Sequence, residues 1–208
     1  MSRATTFDLF GTLVEVTAQE DPADAIATEL SARGVSVPAD WQDAYRTPQL
    51  ETEPGAELPL TEHVRAILDT ETSADRALIR EAVLAAFDQP VESRPDAVQT
   101  VQAMGEYGPV GLLSNCSVPG LVDRTLERSE LDAGQFDAVV TSVGCGWRKP
   151  DRRAFEAVAS RLGVPVDKIT HVGDNRETDG GAAEVGADCL LVDEVPLAEM
   201  PVREHGGQ

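Results

Sequence analysis

The chain has 208 residues, 41% of them hydrophobic and 26% charged, with a net charge of −20 and a pI near 4.3. That length holds one domain, or one domain carrying an insertion, and that apolar content excludes a disordered chain. Against 37 acidic residues stand only 17 basic ones, with no basic stripe to neutralise a phosphate backbone, which excludes nucleic acid as a partner. The carboxylates are spread along the whole length, the pattern of a solvated acidic surface, and point to a salt-adapted (halophilic) cytoplasmic protein. No apolar run approaches the roughly 18 residues of a membrane span. Asp8 interrupts the opening apolar stretch, so a signal peptide is not expected there.

Thr5 to Leu13 opens the chain as a short buried strand that ends in Asp8, Phe10 and a Gly-Thr turn. After Leu13 the strand pattern stops. From Pro22 to Phe87 the text is helical: Ile26 and Leu30, then Val64, Ile67 and Leu68, then Ile79, Val83, Ala86 and Phe87 recur at helical spacing. Breaks fall at Gly34–Pro38 and Glu53–Pro59. Arg94-Pro95-Asp96 marks a return, followed by a helix carrying Val98, Val101 and Met104. Strands are predicted over Val110–Leu113, Phe136–Thr141, Ile169–Val172 and Cys189–Val192, with helices over Pro119–Arg128, Pro150–Leu162 and Glu177–Val185 between them. Such alternation predicts a doubly wound, Rossmann-like α/β fold with a parallel sheet. The expected division is a core of residues 1–14 and 94–208 around a small all-helical insertion of 15–93. Arg203–Gln208 reads as a frayed tail.

Four strand ends carry chemistry. The first delivers Asp8, and the second ends in Ser114-Asn115. Lys149, one of only two lysines in the chain, precedes a helix start. The fourth ends in Asp174 and Asp179, five residues apart. In an open parallel sheet, ligands bind outside the carboxyl ends of the strands. Three cysteines, Cys116, Cys145 and Cys189, lack a CxxC spacing and read as free thiols, with Cys189 in the core. His63, His171 and His205 have no metal-ligand spacing, and His171 reads as a structural or site-edge residue.

These four segments, in this order, resemble the four motifs of the haloacid dehalogenase-like hydrolase superfamily, over a stretch from Thr5 to about Val192. The resemblance implies that Asp8 is a nucleophile forming a covalent intermediate that water opens. It implies that Ser114, helped by nearby backbone N–H groups, hydrogen-bonds an oxygen of the transferring group, that Asn115 beside it belongs to the catalytic set, and that Lys149 neutralises charge between Asp8 and the substrate. It implies a Mg²⁺ site made by Asp8, the backbone carbonyl of Phe10, Asp174 and Asp179. The segment after Asp179 is one residue shorter than the family pattern. The helical insertion takes the place of a cap that closes over a small-molecule substrate and selects it. Oligomeric state is not legible.

Phe10 departs from the family's phosphatases, which carry a second Asp there as general acid and base. Three readings follow: a Mg²⁺-dependent phosphatase taking its proton elsewhere, with Glu15 a candidate; a metal-free 2-haloacid dehalogenase; or a catalytically weak binding protein. A halide needs no proton, and dehalogenases have an aromatic at this place, whereas the retained acidic pair at 174 and 179 favours phosphate. A phosphonoacetaldehyde-type hydrolase needs a lysine in the insertion, and none lies between Glu15 and Arg94.

Overall fold

Strand β1 (Ala4–Phe7) is buried at every position, as a central parallel strand covered on both faces must be. The computed structural model that contains it describes residues 3–17, 19–68 and 75–200. On one side β1 pairs in parallel with β4 (Val110–Ser114), and β4 with β5 (Ala138–Thr141). On the other it pairs with β6 (Ile169–Gly173), and β6 with β7 (Asp188–Leu191). The order β5-β4-β1-β6-β7 puts the first strand at the centre, and the chain reverses its direction of travel across the sheet there. A crevice forms at such a reversal, at the carboxyl ends of the strands.

Helices cover both faces, in agreement with the predicted doubly wound α/β class. Leu113, Val140 and Ile169 point into one apolar cluster with Phe155 and Val158 of α8 (Arg152–Leu162). Phe7, Leu112 and Val172 point into the other with Val101 and Met104 of α5 (Ala97–Gly105). Gly111 is where α8 approaches the sheet most closely. A Cβ there would sit 3.1 Å from both Leu162 and Val158.

The strand pattern does not stop at Leu13. Val14–Val16 forms β2 and Val91–Ser93 forms β3, an antiparallel ribbon. Three-residue strands are too short to show a period, so the sequence concealed them. The ribbon ties the two ends of the insertion together, and the Arg94 amide donates to the Leu13 carbonyl at 2.9 Å. Between these strands lie α1 (Pro22–Ala32), α2 (Trp41–Arg46), α3 (Leu60–Ile67) and α4 (Arg76–Ala86). Ile26, Leu30, Trp41, Val64, Ile79 and Val83 are buried among them and join the larger core cluster.

Three helix boundaries differ from expectation. α6 is Leu121–Arg128, with Gly120 in a left-handed conformation before it. The helix after Pro150 starts at Arg152, because the Asp151 side chain caps the Arg153 amide. The helix expected over Glu177–Val185 shrinks to α9 (Gly181–Glu184), because residues 174–179 are folded around the Asp179 side chain. Between β5 and α8 lies the four-residue α7 (Ser142–Cys145). His205 and the tail Arg203–Gln208 lie outside the described residues.

The close α8–β4 contact gives a direct test. Gly111→Val should lower unfolding free energy by about 1–3 kcal/mol through overpacking, with Gly111→Ala costing less, as read by urea denaturation.

Candidate active site

Three of the residues singled out in the sequence stand at the carboxyl edge of the sheet. Asp8 follows β1, Ser114 ends β4, and Asp174 follows β6. Lys149 comes from the loop before α8 and is 2% exposed. Its ammonium donates to Asp8 Oδ1 at 2.9 Å and to Asp179 Oδ1 at 2.5 Å. A lysine is buried this deeply only when its charge is paired. Asp8, Asp174 and Asp179 each present a carboxylate oxygen within 4.8 Å of the others.

His171 is the member that sequence reasoning undervalued. It points from the middle of β6 and is fully buried. Its Nδ1 lies 2.9 Å from Thr6 Oγ1 and its Nε2 lies 3.0 Å from Asp179 Oδ1. The threonine hydroxyl donating to Nδ1 and the Nε2–H donating to the carboxylate describe a neutral ring. Burial, followed by the charge of Lys149, pushes the imidazole down to about 4. The available signal was the pairing of β1 with β6, which sets Thr6 beside His171.

Asp179 accepts from four donors: Lys149 Nζ and His171 Nε2 on Oδ1, and the amides of Asp174 (3.2 Å) and Asn175 (3.0 Å) on Oδ2. That fills the roughly four lone-pair sites of a carboxylate. Burial would raise its pKa, but the His171 hydrogen bond and the Lys149 charge prevail and hold it well below the usual carboxylate range. Asp179 therefore organises the site, and it does not cap α9, whose N-cap is Gly180. Gly173 makes room for it, since a Cβ there would fall 2.1 Å from Asp179 Cγ. Asp174 is the exposed member of the trio and accepts from Thr12 Oγ1 at 3.2 Å. Gly11, at φ +83°, lets the loop pass beneath it: a Cβ would meet Asp174 Oδ2 at 2.3 Å.

Burial pushes the Asp8 carboxyl above its ordinary value, with Lys149 opposing the shift and Asp179 adding to it. Ser114 Oγ is buried and, among the described residues, has no hydrogen-bond partner. Such an orphaned hydroxyl costs free energy unless something supplies a partner. Asn115 is committed elsewhere. Its Nδ2 donates to the Lys149 carbonyl at 2.9 Å, and its Oδ1 accepts from the Lys149 amide at 2.8 Å. Both ends of its amide thus fix the backbone that delivers the lysine.

A second support was read in the sequence only as a break. The Glu53–Pro59 segment lies against the Lys149 loop as a strap. Ala56 bridges Trp147, the Arg148 amide donates to the Gly55 carbonyl at 3.0 Å, and the Glu57 amide donates to the Gly146 carbonyl at 2.9 Å. Ser142 Oγ donates to Glu57 Oε2 at 2.6 Å and accepts from the Cys116 amide at 2.8 Å. Burial pushes the Cys116 thiol up to about 11, in keeping with an inert thiol. Cys189 is only half-buried at the edge of the smaller cluster. The Glu15 side chain is 66% exposed, with Arg94 Nε 3.5 Å away. Two clefts meet the site. A polar one of about 420 Å³ is lined by Gly11, Glu15, Arg94, Asp174 and Asp193. A more apolar one of about 290 Å³ begins at Phe10 and Asn115.

The parallel sheet thus gathers Asp8, Lys149, Asp174 and Asp179 at the tip of its central strand. The profile of the haloacid dehalogenase-like hydrolases matches residues 3–186, and the chain belongs to that family. It is 26% identical over 197 residues to (S)-2-haloacid dehalogenase 4A of Burkholderia cepacia, covering 91% of this chain and 82% of that one. Its fold is similar to that of a 2-haloacid dehalogenase from Pseudomonas syringae pv. Tomato DC3000 (TM-score 0.69, 18% identity, 97% of each chain). It is also similar to a HAD phosphatase from Thermococcus onnurineus (TM-score 0.61, 17% identity, 98% of each chain). Among the described residues no helix is long and apolar enough to cross a membrane.

The neutral His171 makes stability depend on pH. Its proton is bound near pH 6.5 in the unfolded chain but only near 4 in the folded one. Stability from this group is therefore present at neutral pH and lost as pH falls from about 6.5 to about 4, by about 3 kcal/mol in all. Urea denaturation between pH 7 and 4 should show that loss in the wild type and its absence in His171→Gln.

Proposed function

We propose that this hydrolase is a Mg²⁺-dependent phosphatase of small phosphorylated metabolites, acting through Asp8 under a helical cap formed by residues 15–93. The observation that carries the reading is the acidic trio. Three carboxylates have oxygens within 4.8 Å of one another and Lys149 pairs with only two of them, Asp8 and Asp179, leaving an excess of negative charge where an anionic substrate would bind. A hard cation answers that excess, and carboxylate oxygens suit Mg²⁺. Asp8 and Asp174 would hold it with the Phe10 carbonyl, while Asp179, whose oxygens are already engaged, stands behind them. The ion, when bound, would supply charge neutralisation on the phosphoryl oxygens.

The residues themselves would do the following. An Asp8 oxygen attacks phosphorus, the bond from phosphorus to the ester oxygen breaks, and an aspartyl phosphate remains. Water then attacks that phosphorus, restoring the carboxylate and releasing phosphate. Lys149 keeps Asp8 ionised and aimed, and Asn115 positions Lys149 by its backbone. The orphaned Ser114 hydroxyl donates to a phosphoryl oxygen. Phe10 has no proton to give, so the leaving oxygen takes one from solvent, and turnover is slow or confined to good leaving groups.

A second reading, 2-haloacid dehalogenation by Asp8, is favoured by one residue. Phe10, two residues after Asp8, lines the apolar cleft, and a halide departs without a proton. One pair of assays separates the two: phosphate release from p-nitrophenyl phosphate with and without Mg²⁺, and chloride release from 2-chloropropionate in EDTA. The first reading expects metal-dependent phosphate and no chloride; chloride in EDTA with no phosphate overturns it. If it holds, Asp8→Asn should abolish release. Phe10→Asp should raise it, by about 10²-fold or more, because it restores the missing acid.

A further inference from the structure

The cleft that begins at Phe10 and Asn115 reverses the charge of the molecule. The chain carries 37 acidic residues to 17 basic ones, yet this cleft is lined by two arginines, Arg124 and Arg128, and one acid, Asp88. Both arginines come from α6 and converge on that carboxylate. Arg124 Nη2 lies 2.6 Å from Asp88 Oδ2, and Arg128 grips both Asp88 oxygens. One carboxylate cannot neutralise two guanidiniums, and each guanidinium has donors to spare. The rest of the wall is largely apolar, with Phe10, Phe87 and Leu121 among its members. Its volume, about 290 Å³, is at the bottom of the range for small-molecule sites, which fits a compact group.

We infer that this cleft receives the organic part of the substrate, and that this part is a compact apolar or aromatic body bearing a carboxylate that pairs with Arg124 and Arg128. The inference rests on the phosphatase reading for the other end of the molecule. A neutral tail would fill the apolar wall but leave the surplus guanidinium charge unanswered. A long or multiply charged tail would not fit the volume. Partly exposed arginines are screened by salt, so the preference they confer should shrink as salt rises.

The test compares phenyl phosphate with 4-carboxyphenyl phosphate in the presence of Mg²⁺, together with calorimetric binding of 4-hydroxybenzoate and phenol. Expected is a kcat/KM about tenfold or more higher for the carboxylated ester, seen mainly in KM and reduced by salt. In Arg124→Gln/Arg128→Gln that ratio should fall close to one. In Asp88→Asn, which releases both guanidiniums, it should rise, a gain that mere damage to the fold does not produce. Equal kcat/KM for the two esters in the wild type, or a preference that survives in the double variant, overturns the inference. If neither ester is hydrolysed, the phosphatase reading fails and the binding arm decides. Tighter binding of 4-hydroxybenzoate than phenol, lost in the double variant, upholds the cleft assignment; equal binding overturns it.

Discussion

One ammonium group, Lys149 Nζ, sits between two carboxylates, and the candidate site depends on it. It reaches Asp8 at 2.9 Å and Asp179 at 2.5 Å in surroundings that exclude water. Unpaired, any of the three would be costly to bury. Together they hold each other at the strand tips, and the neutral His171 completes the arrangement by donating to Asp179 without adding a further charge. The acidic loop of residues 174–179 is folded around that same Asp179.

Much of the surrounding structure serves to deliver this lysine. Asn115 clamps its backbone from both sides, and the strap of residues 53–60 lies along the loop that leads to it. Arg153 of α8 reinforces the same seam, stacking 3.2 Å over the Trp147 ring and pairing with Glu53 at 2.8 Å. The insertion is thus attached through its β2–β3 ribbon and, as a second attachment, through this strap, besides the pairing of Asp88 with Arg124 and Arg128 of α6. A lid hinged only at its ends would lack the second attachment. The strap therefore couples the helical layer to the position of Lys149 as well as to the shape of the clefts.

The two clefts divide the chemistry. Asp174, Glu15 and Asp193 make one of them polar and acidic, whereas Phe10, Phe87 and Leu121 make the other apolar, with a basic edge. Phe10 stands at the boundary. Its phenyl ring is part of the apolar wall.

The sequence alone determined the class of fold, the order of the motifs and the identity of Asp8, Ser114, Lys149, Asp174 and Asp179. Alternating apolar runs report a parallel sheet by their period, and strand ends report a site by the residues that follow them. Only the tertiary structure decided which of these touch. His171 was undervalued because its partner Thr6 is 165 residues away and becomes a neighbour solely through β1–β6 pairing. Asn115 stands beside Ser114 in the sequence, and only the fold reveals that its side-chain amide bonds the Lys149 backbone. Asp179, which the resemblance assigns to a metal site, also accepts from four donors that the sequence does not reveal. The β2–β3 ribbon and the strap were invisible because short extended segments have no period, and their hydrogen bonds are made by backbone that carries no residue-specific signal. Local pattern records what a segment prefers to become; which donors saturate which acceptors depends on contacts distant in the chain.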